Sequence, residues 1–120
     1  MVTTRKPQEM YGVVSASTII GEAVVGRDDQ KLGKIHELVI DASAGRLAYA
    51  VLAFQGKHFA MPWKAFEFSN TEKKLVLNVD KKKLEAAPGF DKDDKWPDFA
   101  DKNWGTDIHR YYGHEPYWAA

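Results

Sequence analysis

The stretch 41-DASAGRLAYAVLAF-54 decides how the chain is read. Asp41, Ser43 and Gly45 are residues that turn a chain readily. Arg46 to Phe54 then forms the longest apolar run. Successive side chains of a strand point to opposite faces. Leu47, Tyr49, Val51 and Ala53 therefore point one way, and Ala48, Ala50, Leu52 and Phe54 the other. A strand apolar on both faces must be covered on both. The inside of a small barrel fills one face. A helix, a tail or a second chain must fill the other.

Upstream, "EAVVGRDDQKLGKIHELVID" has an apolar start, a polar turn at residues 27–31 and a strand from Ile35 to Asp41. Asp28 and Asp29 can hydrogen-bond their own backbone, and Gly26 and Gly33 accept positive φ. This pattern predicts a hairpin with a loop longer than two residues. Downstream, Gly56 turns the chain and Lys57 to Met61 extends, until Pro62 removes a ladder donor. "PWKAF" suits a single helical turn, and "FEFSNTEKKLVLNVD" a second hairpin turning at Asn70. The count is six strands between about Glu22 and Val79. Asp80 reads as the side-chain cap of a short helix, "KKKLEAA", stopped by Pro88–Gly89. Pro97 is suited to open another. Trp104 to Tyr112 fits two to three helical turns ended by Gly113.

These elements predict one domain in 120 residues: a flexible arm at 1–16, a barrel at 17–80, and a helix plus aromatic extension at 81–120 that packs on a barrel. Tyr11, Val13 and Val14 are the arm's candidate anchors. The start lacks the compact apolar run of a secretory leader. No stretch approaches the ~20 apolar residues of a membrane span. With no cysteine, disulfides, thiolate zinc and cysteine nucleophiles are excluded. A cytoplasmic protein is the expectation.

Seventeen basic residues balance seventeen acidic ones, which argues against a dedicated nucleic-acid binder. The distribution is uneven. Residues 41–90 carry eight basic and five acidic side chains, whereas residues 91–120 carry four basic and seven acidic. The basic group around Lys81–Lys83 reads as a solvated helix face, since the aromatic rings that would stack on RNA lie in the acidic tail.

The tail segment "NWGTDIHRYYGHEPYW" collects two histidines, two carboxylates and five aromatic rings. His109 and His114 stand five apart with Gly113 between them, which loses the shared face of an i, i+4 metal pair. Neither a metal nor another cofactor is expected, and His109 reads as a surface or capping residue favoured by the helix dipole. His36 and His58 lie on predicted strands. The serines occupy arms and turns, with no G-x-S-x-G elbow. "DKDDKWPDFAD" lacks the glycine and distal glutamate of a calcium loop. No catalytic residue is therefore assigned. Seven of the fifteen aromatic rings fall after Asp94 and need something to cover. Trp63, Trp104, Tyr111, Tyr112 and Trp118 are the candidate interaction residues. A tail wrapped over a second copy would make an isologous dimer, and a homodimer is the expected assembly.

Gly26, the "LGKI" of Leu32–Ile35, the "LVID" of Leu38–Asp41, "GRLAYAV" at 45–51 and "FAMPW" at 59–63 together resemble the PRC-barrel family, named for the cytoplasmic barrel of the photosynthetic reaction-centre H subunit. The resemblance covers about residues 17–79. The later "APGFDKDDKWPDFADKNWGTDIHRYYG" looks like the tail of a stand-alone bacterial branch. The resemblance implies a mainly β fold: a small six-stranded antiparallel barrel with short C-terminal helices and an aromatic-rich tail. It implies a non-enzymatic adaptor or regulatory module with an unidentified protein partner. The alternatives it carries are an RNA- or ribosome-associated factor, like the barrel of ribosome-maturation proteins, and an accessory of a photosynthetic or membrane electron-transfer complex. One departure is the short "QGKH" where relatives often have a longer glycine-rich loop.

Overall fold

The computed structural model of the protein describes residues 13–69, 74–91 and 96–119. The expected anchor Tyr11 and the turn at Asn70 lie outside the described residues, as do Asp93 and Asp94. Strand β3, Arg46–Phe54, is the spine. Tyr49 and Val51 on one face and Ala50 and Leu52 on the other are each 0% exposed, so both faces are covered. Strands β2 (Lys31–Asp41) and β4 (Lys57–Pro62) flank it, both antiparallel to it. Strand β1 (Ala23–Val25) pairs with β2, and β5 (Phe66–Ser69) with β6 (Lys74–Leu77). A four-residue helix α1, Ala16–Ile19, precedes β1 and buries Ile19.

The strand order is β4-β3-β2-β1-β6-β5. The expectation of six strands holds, but that of a purely antiparallel barrel does not. Strands β1 and β6 run parallel, pairing Val24 with Leu75 and Val25 with Val76, and the mixed sheet forms a half-barrel. Alternating side chains report which face a residue takes, not which distant strand becomes its neighbour. The edge strands β4 and β5 are joined by only the 3-10 turn Trp63–Ala65. Four Cα steps reach roughly 15 Å at most, so the sheet must curl to bring its two edges together.

Strand β2 starts at Lys31, earlier than its apolar pattern suggests, and is bent. Its register against β3 shifts between Ile35 and Glu37 and again between Val39 and Ile40. Such bulges raise the local twist and let one strand serve two directions of pairing. Of the two glycines read as able to accept positive φ, Gly33 takes it (137°) and Gly26 does not. In the 26–30 turn the left-handed residue is Asp29 (φ 63°), beside Asp28, whose carboxylate accepts from the Gln30 N–H at 3.1 Å. Gly33 lies where β2 crosses β3, and a Cβ there would stand 2.1 Å from the Ala53 carbonyl oxygen.

Helix α2, Lys81–Glu85, follows β6 and drops Leu84 into the core. Asp80 is its N-cap residue, but its side chain makes no capping bond, contrary to expectation. The helix is held by Leu84 burial instead. No helix of the described residues is long and apolar enough to cross a membrane.

Gly33→Ala combines a forbidden backbone angle with a collision against fixed backbone. It is expected to lower unfolding free energy by about 3 kcal/mol or more in urea titration. Gly45→Ala, at φ 68° with open space around it, is expected to cost only about 1–2 kcal/mol. Equal costs would show that the β2–β3 crossing is not tight.

Candidate functional site

The chain after α2 returns over the sheet. Gly89 passes so close to the Phe59 ring that a Cβ would stand 2.7 Å from it. Phe90 then bridges β4: His58 N–H donates to the Phe90 carbonyl at 2.8 Å, and Phe90 N–H donates back at 2.9 Å. Pro97 does not open a helix. Residues 98–101 make a turn instead, with Asp101 N–H donating to the Asp98 carbonyl at 3.0 Å. The Asp98 carboxylate also accepts from Ala100 N–H at 3.0 Å, which holds that turn. Helix α3, Lys102–Tyr111, begins one turn later. Asp101 is its working cap, its carboxylate accepting from Asn103 N–H (2.9 Å) and Trp104 N–H (3.4 Å).

Gly105 explains the fit of this helix. A Cβ there would lie 2.6 Å from the Tyr49 hydroxyl and 2.8 Å from the Trp118 ring. The bare glycine lets α3 settle onto β3. At the far end Gly113 takes φ 77°, His114 N–H donates to the His109 carbonyl, and Gly113 N–H donates to the Arg110 carbonyl. That paired arrangement is the Schellman stop, which reverses the chain. Residues 115–118 then run back along α3.

His109 is the pin. It is 1% exposed, not a surface cap as its position in the last turn suggests. Tyr117 N–H donates to Nε2 at 3.2 Å, so the imidazole proton sits on Nδ1 and donates to the Gly105 carbonyl at 2.7 Å. Burial lowers the His109 pKa, against the partial support of that carbonyl. The ring is neutral and both nitrogens are used. Tyr117 carries the closure outward. Its hydroxyl donates to Asp41 at 2.6 Å, and its carbonyl accepts from the Arg46 guanidinium, which also lies 5.0 Å over its ring. The Tyr117 hydroxyl bond, then the Ala44 N–H, hold the Asp41 carboxyl below its usual range. Burial, then the Asp41 bond, push the Tyr117 hydroxyl up to about 12.

The rings of Phe99, Trp104, His109 and Tyr117 all lie within 6.1 Å of the Tyr49 ring centroid. The tail therefore covers its own β3, and the two-faced strand needs no second copy to be buried. His36 and His58 do meet, at 4.6 Å between centroids, but as part of an aromatic group with Trp96. No cluster of three metal-ligating side chains occurs among the described residues.

The five candidate aromatics do not form one patch. Trp104 and Tyr111 line a groove of ≈ 490 Å³ with Pro88, Phe90 and Pro97, and Asp107 stands on its wall. Tyr111 is anchored by its hydroxyl, which donates to the Lys83 carbonyl at 2.7 Å. Tyr112 is 7% exposed and belongs to the core. Trp118 stacks edge-on to His109, with the Lys102 ammonium 5.8 Å above it. Trp63 lies elsewhere, in a cleft of ≈ 560 Å³ with Arg46, Leu47, Lys64, His109 and Tyr117. Sequence reasoning missed Asp107, Arg46, Lys64 and Gly105. Only Gly105 carried a signal, since an interior helix glycine beside tryptophan marks a close approach.

The family model of the PRC-barrel domain matches residues 12–84. The chain belongs to the PRC-barrel family. The match takes in all six strands and most of α2. The α3 clasp lies beyond it, so this PRC barrel is closed by a segment outside the matched region. None of the curated proteins matches the chain.

Two outcomes test the clasp. A folded-state histidine pKa below the unfolded 6.5 gives stability that is full above that value and is lost as pH falls through the folded pKa. Urea midpoints are expected to fall from pH 7.5 to pH 5, with a smaller fall in His109→Gln; an unchanged pH slope in that variant would remove His109 from the account. The Tyr49 hydroxyl is buried without a hydrogen-bond partner among the described residues. Tyr49→Phe keeps the ring contacts and removes that penalty, so it is expected to be neutral or more stable by about 1 kcal/mol.

Proposed function

We propose that this protein is a non-enzymatic adaptor whose docking surface is the groove between β4, the Pro88–Phe90 passage and α3. PRC-barrel membership suggests a protein-interaction module. The observation that carries the reading is the groove itself. Trp104, Asp107, Ile108 and Tyr111 recur at helical spacing, so one face of α3 supplies a ring at each end and a carboxylate between. Proline and phenylalanine form the facing wall.

The occupant is an extended segment pairing an apolar anchor with lysine or arginine. Asp107 is the charged side chain in the groove's described lining, and the Lys83 ammonium lies 5.3 Å over the Tyr111 ring at one end. Arg110 does not neutralise Asp107. The two stand 3.9 Å apart with side chains 77% and 79% exposed, where such a pair contributes little. Aromatic anchors seated beside a complementary charge are the usual source of affinity and partner choice.

A displayed peptide library selected on the native protein is expected to enrich segments with a basic residue beside an apolar one. Asp107→Lys, an exposed change, is expected to weaken the selected peptides about tenfold, and Tyr111→Ala at least as much. Enrichment of acidic peptides, or affinity untouched by Asp107→Lys, would overturn this reading.

A further inference from the structure

The second concavity differs in chemistry from the docking groove. It lies where β3 starts, between the 3-10 turn at Trp63–Ala65 and the returning Tyr117. Its volume of ≈ 560 Å³ falls within the range of roughly 300–1,000 Å³ typical of small-ligand sites. Two side chains in its lining are cations, Arg46 and Lys64, and none is a carboxylate. Neither cation forms an ion pair with another described residue. Asp41 is the cross-strand partner of Arg46 and feels its charge, but its carboxylate is already bonded by the Tyr117 hydroxyl and the Ala44 N–H.

Arg46 is preorganised. One guanidinium nitrogen donates to the Tyr117 carbonyl and the central carbon lies 5.0 Å over the Tyr117 ring, which fixes the fork while its other N–H donors make no bond to the described residues. A fixed guanidinium presents paired donors that match carboxylate or phosphate oxygens. Lys64 is exposed and adds a movable point charge. The remaining walls are apolar and flat: the Trp63 and Tyr117 rings with Leu47 and Ala48. The His109 Nε2 is already taken by Tyr117 N–H, so it offers a ligand no acceptor.

We infer that this cleft binds a small organic anion, a flat apolar ring carrying a carboxylate or phosphate, with Arg46 gripping the oxygens, Lys64 adding charge and Trp63 and Tyr117 flanking the ring. The site is separate from the peptide groove, and either stands without the other. Its electrostatics are also opposite, so one ligand class does not serve both.

The test uses the full chain and three defined probes: 2-naphthoate, 2-naphthyl phosphate and neutral 2-naphthol. Binding is followed by NMR through the Trp63 indole N–H and the Arg46 side-chain N–H signals. At least one anion is expected to bind tenfold or more tighter than naphthol, and the better of the two identifies the head group. Lys64→Gln, an exposed change that leaves the clasp intact, is expected to weaken it about threefold to tenfold. Arg46→Lys keeps the charge but loses the fork, and is expected to weaken it more. Naphthol binding as tightly as both anions would overturn the inference. So would Lys64→Gln leaving affinity unchanged, shifts confined to residues outside the cleft, or inorganic phosphate binding as tightly as naphthyl phosphate.

Discussion

The contact between the Tyr49 ring and the chain that returns over it joins the two parts of the molecule. Four rings converge on Tyr49, from the 98–101 turn, both ends of α3 and the 115–118 segment. Each well-placed aromatic pair adds about 0.5–1.5 kcal/mol beyond simple burial. The unpartnered hydroxyl works against this by about 1–3 kcal/mol. Four pairs outweigh one orphaned group, so the ring stays and the hydroxyl is tolerated. Gly105 supplies the space it needs beneath the helix.

Helix α3 separates two surfaces of contrary character. Trp104, Asp107, Ile108 and Tyr111 share one face and look onto the apolar, acidic groove. His109 lies away from that stripe and borders the cationic cleft. A single ten-residue helix thus sets the wall of each. The bonds that seat it are few and specific: the Asp101 cap, the glycine stop and the His109 pin. Disturbing any of them reaches both surfaces together.

The sequence carried the fold further than the site. Two-sided apolarity in Arg46–Phe54 correctly required cover on both faces, because side-chain alternation is a local property. The parallel β1–β6 pairing was not legible, because it joins residues some fifty positions apart and depends on how the sheet curls. Gly113 as a helix stop was readable from its place after an apolar stripe. Asp80 and Asp101 look alike as caps, and only the second bonds through its side chain. His109 reads as a surface or capping residue from its place in the last helical turn, and Tyr112 as an interaction residue from the density of aromatics, whereas both are buried, the histidine by the return of residues 115–118. Arg46 and Lys64 were invisible as a pair: nothing in a linear pattern brings residues 46 and 64 to one cleft.

The cover of β3 comes late in the chain. Strand β3 ends at Phe54, whereas Tyr117 and Trp118 follow it by more than sixty residues. At typical translation speeds of about 5–20 residues per second, several seconds separate the two. Until Phe99 and Trp104 have been made the Tyr49 face has none of its ring cover, and until Tyr117 has been made that cover is incomplete, even if its sheet neighbours have already paired. The length of that exposed interval is therefore set by how much chain precedes the aromatic return segment, not by how fast the strands pair.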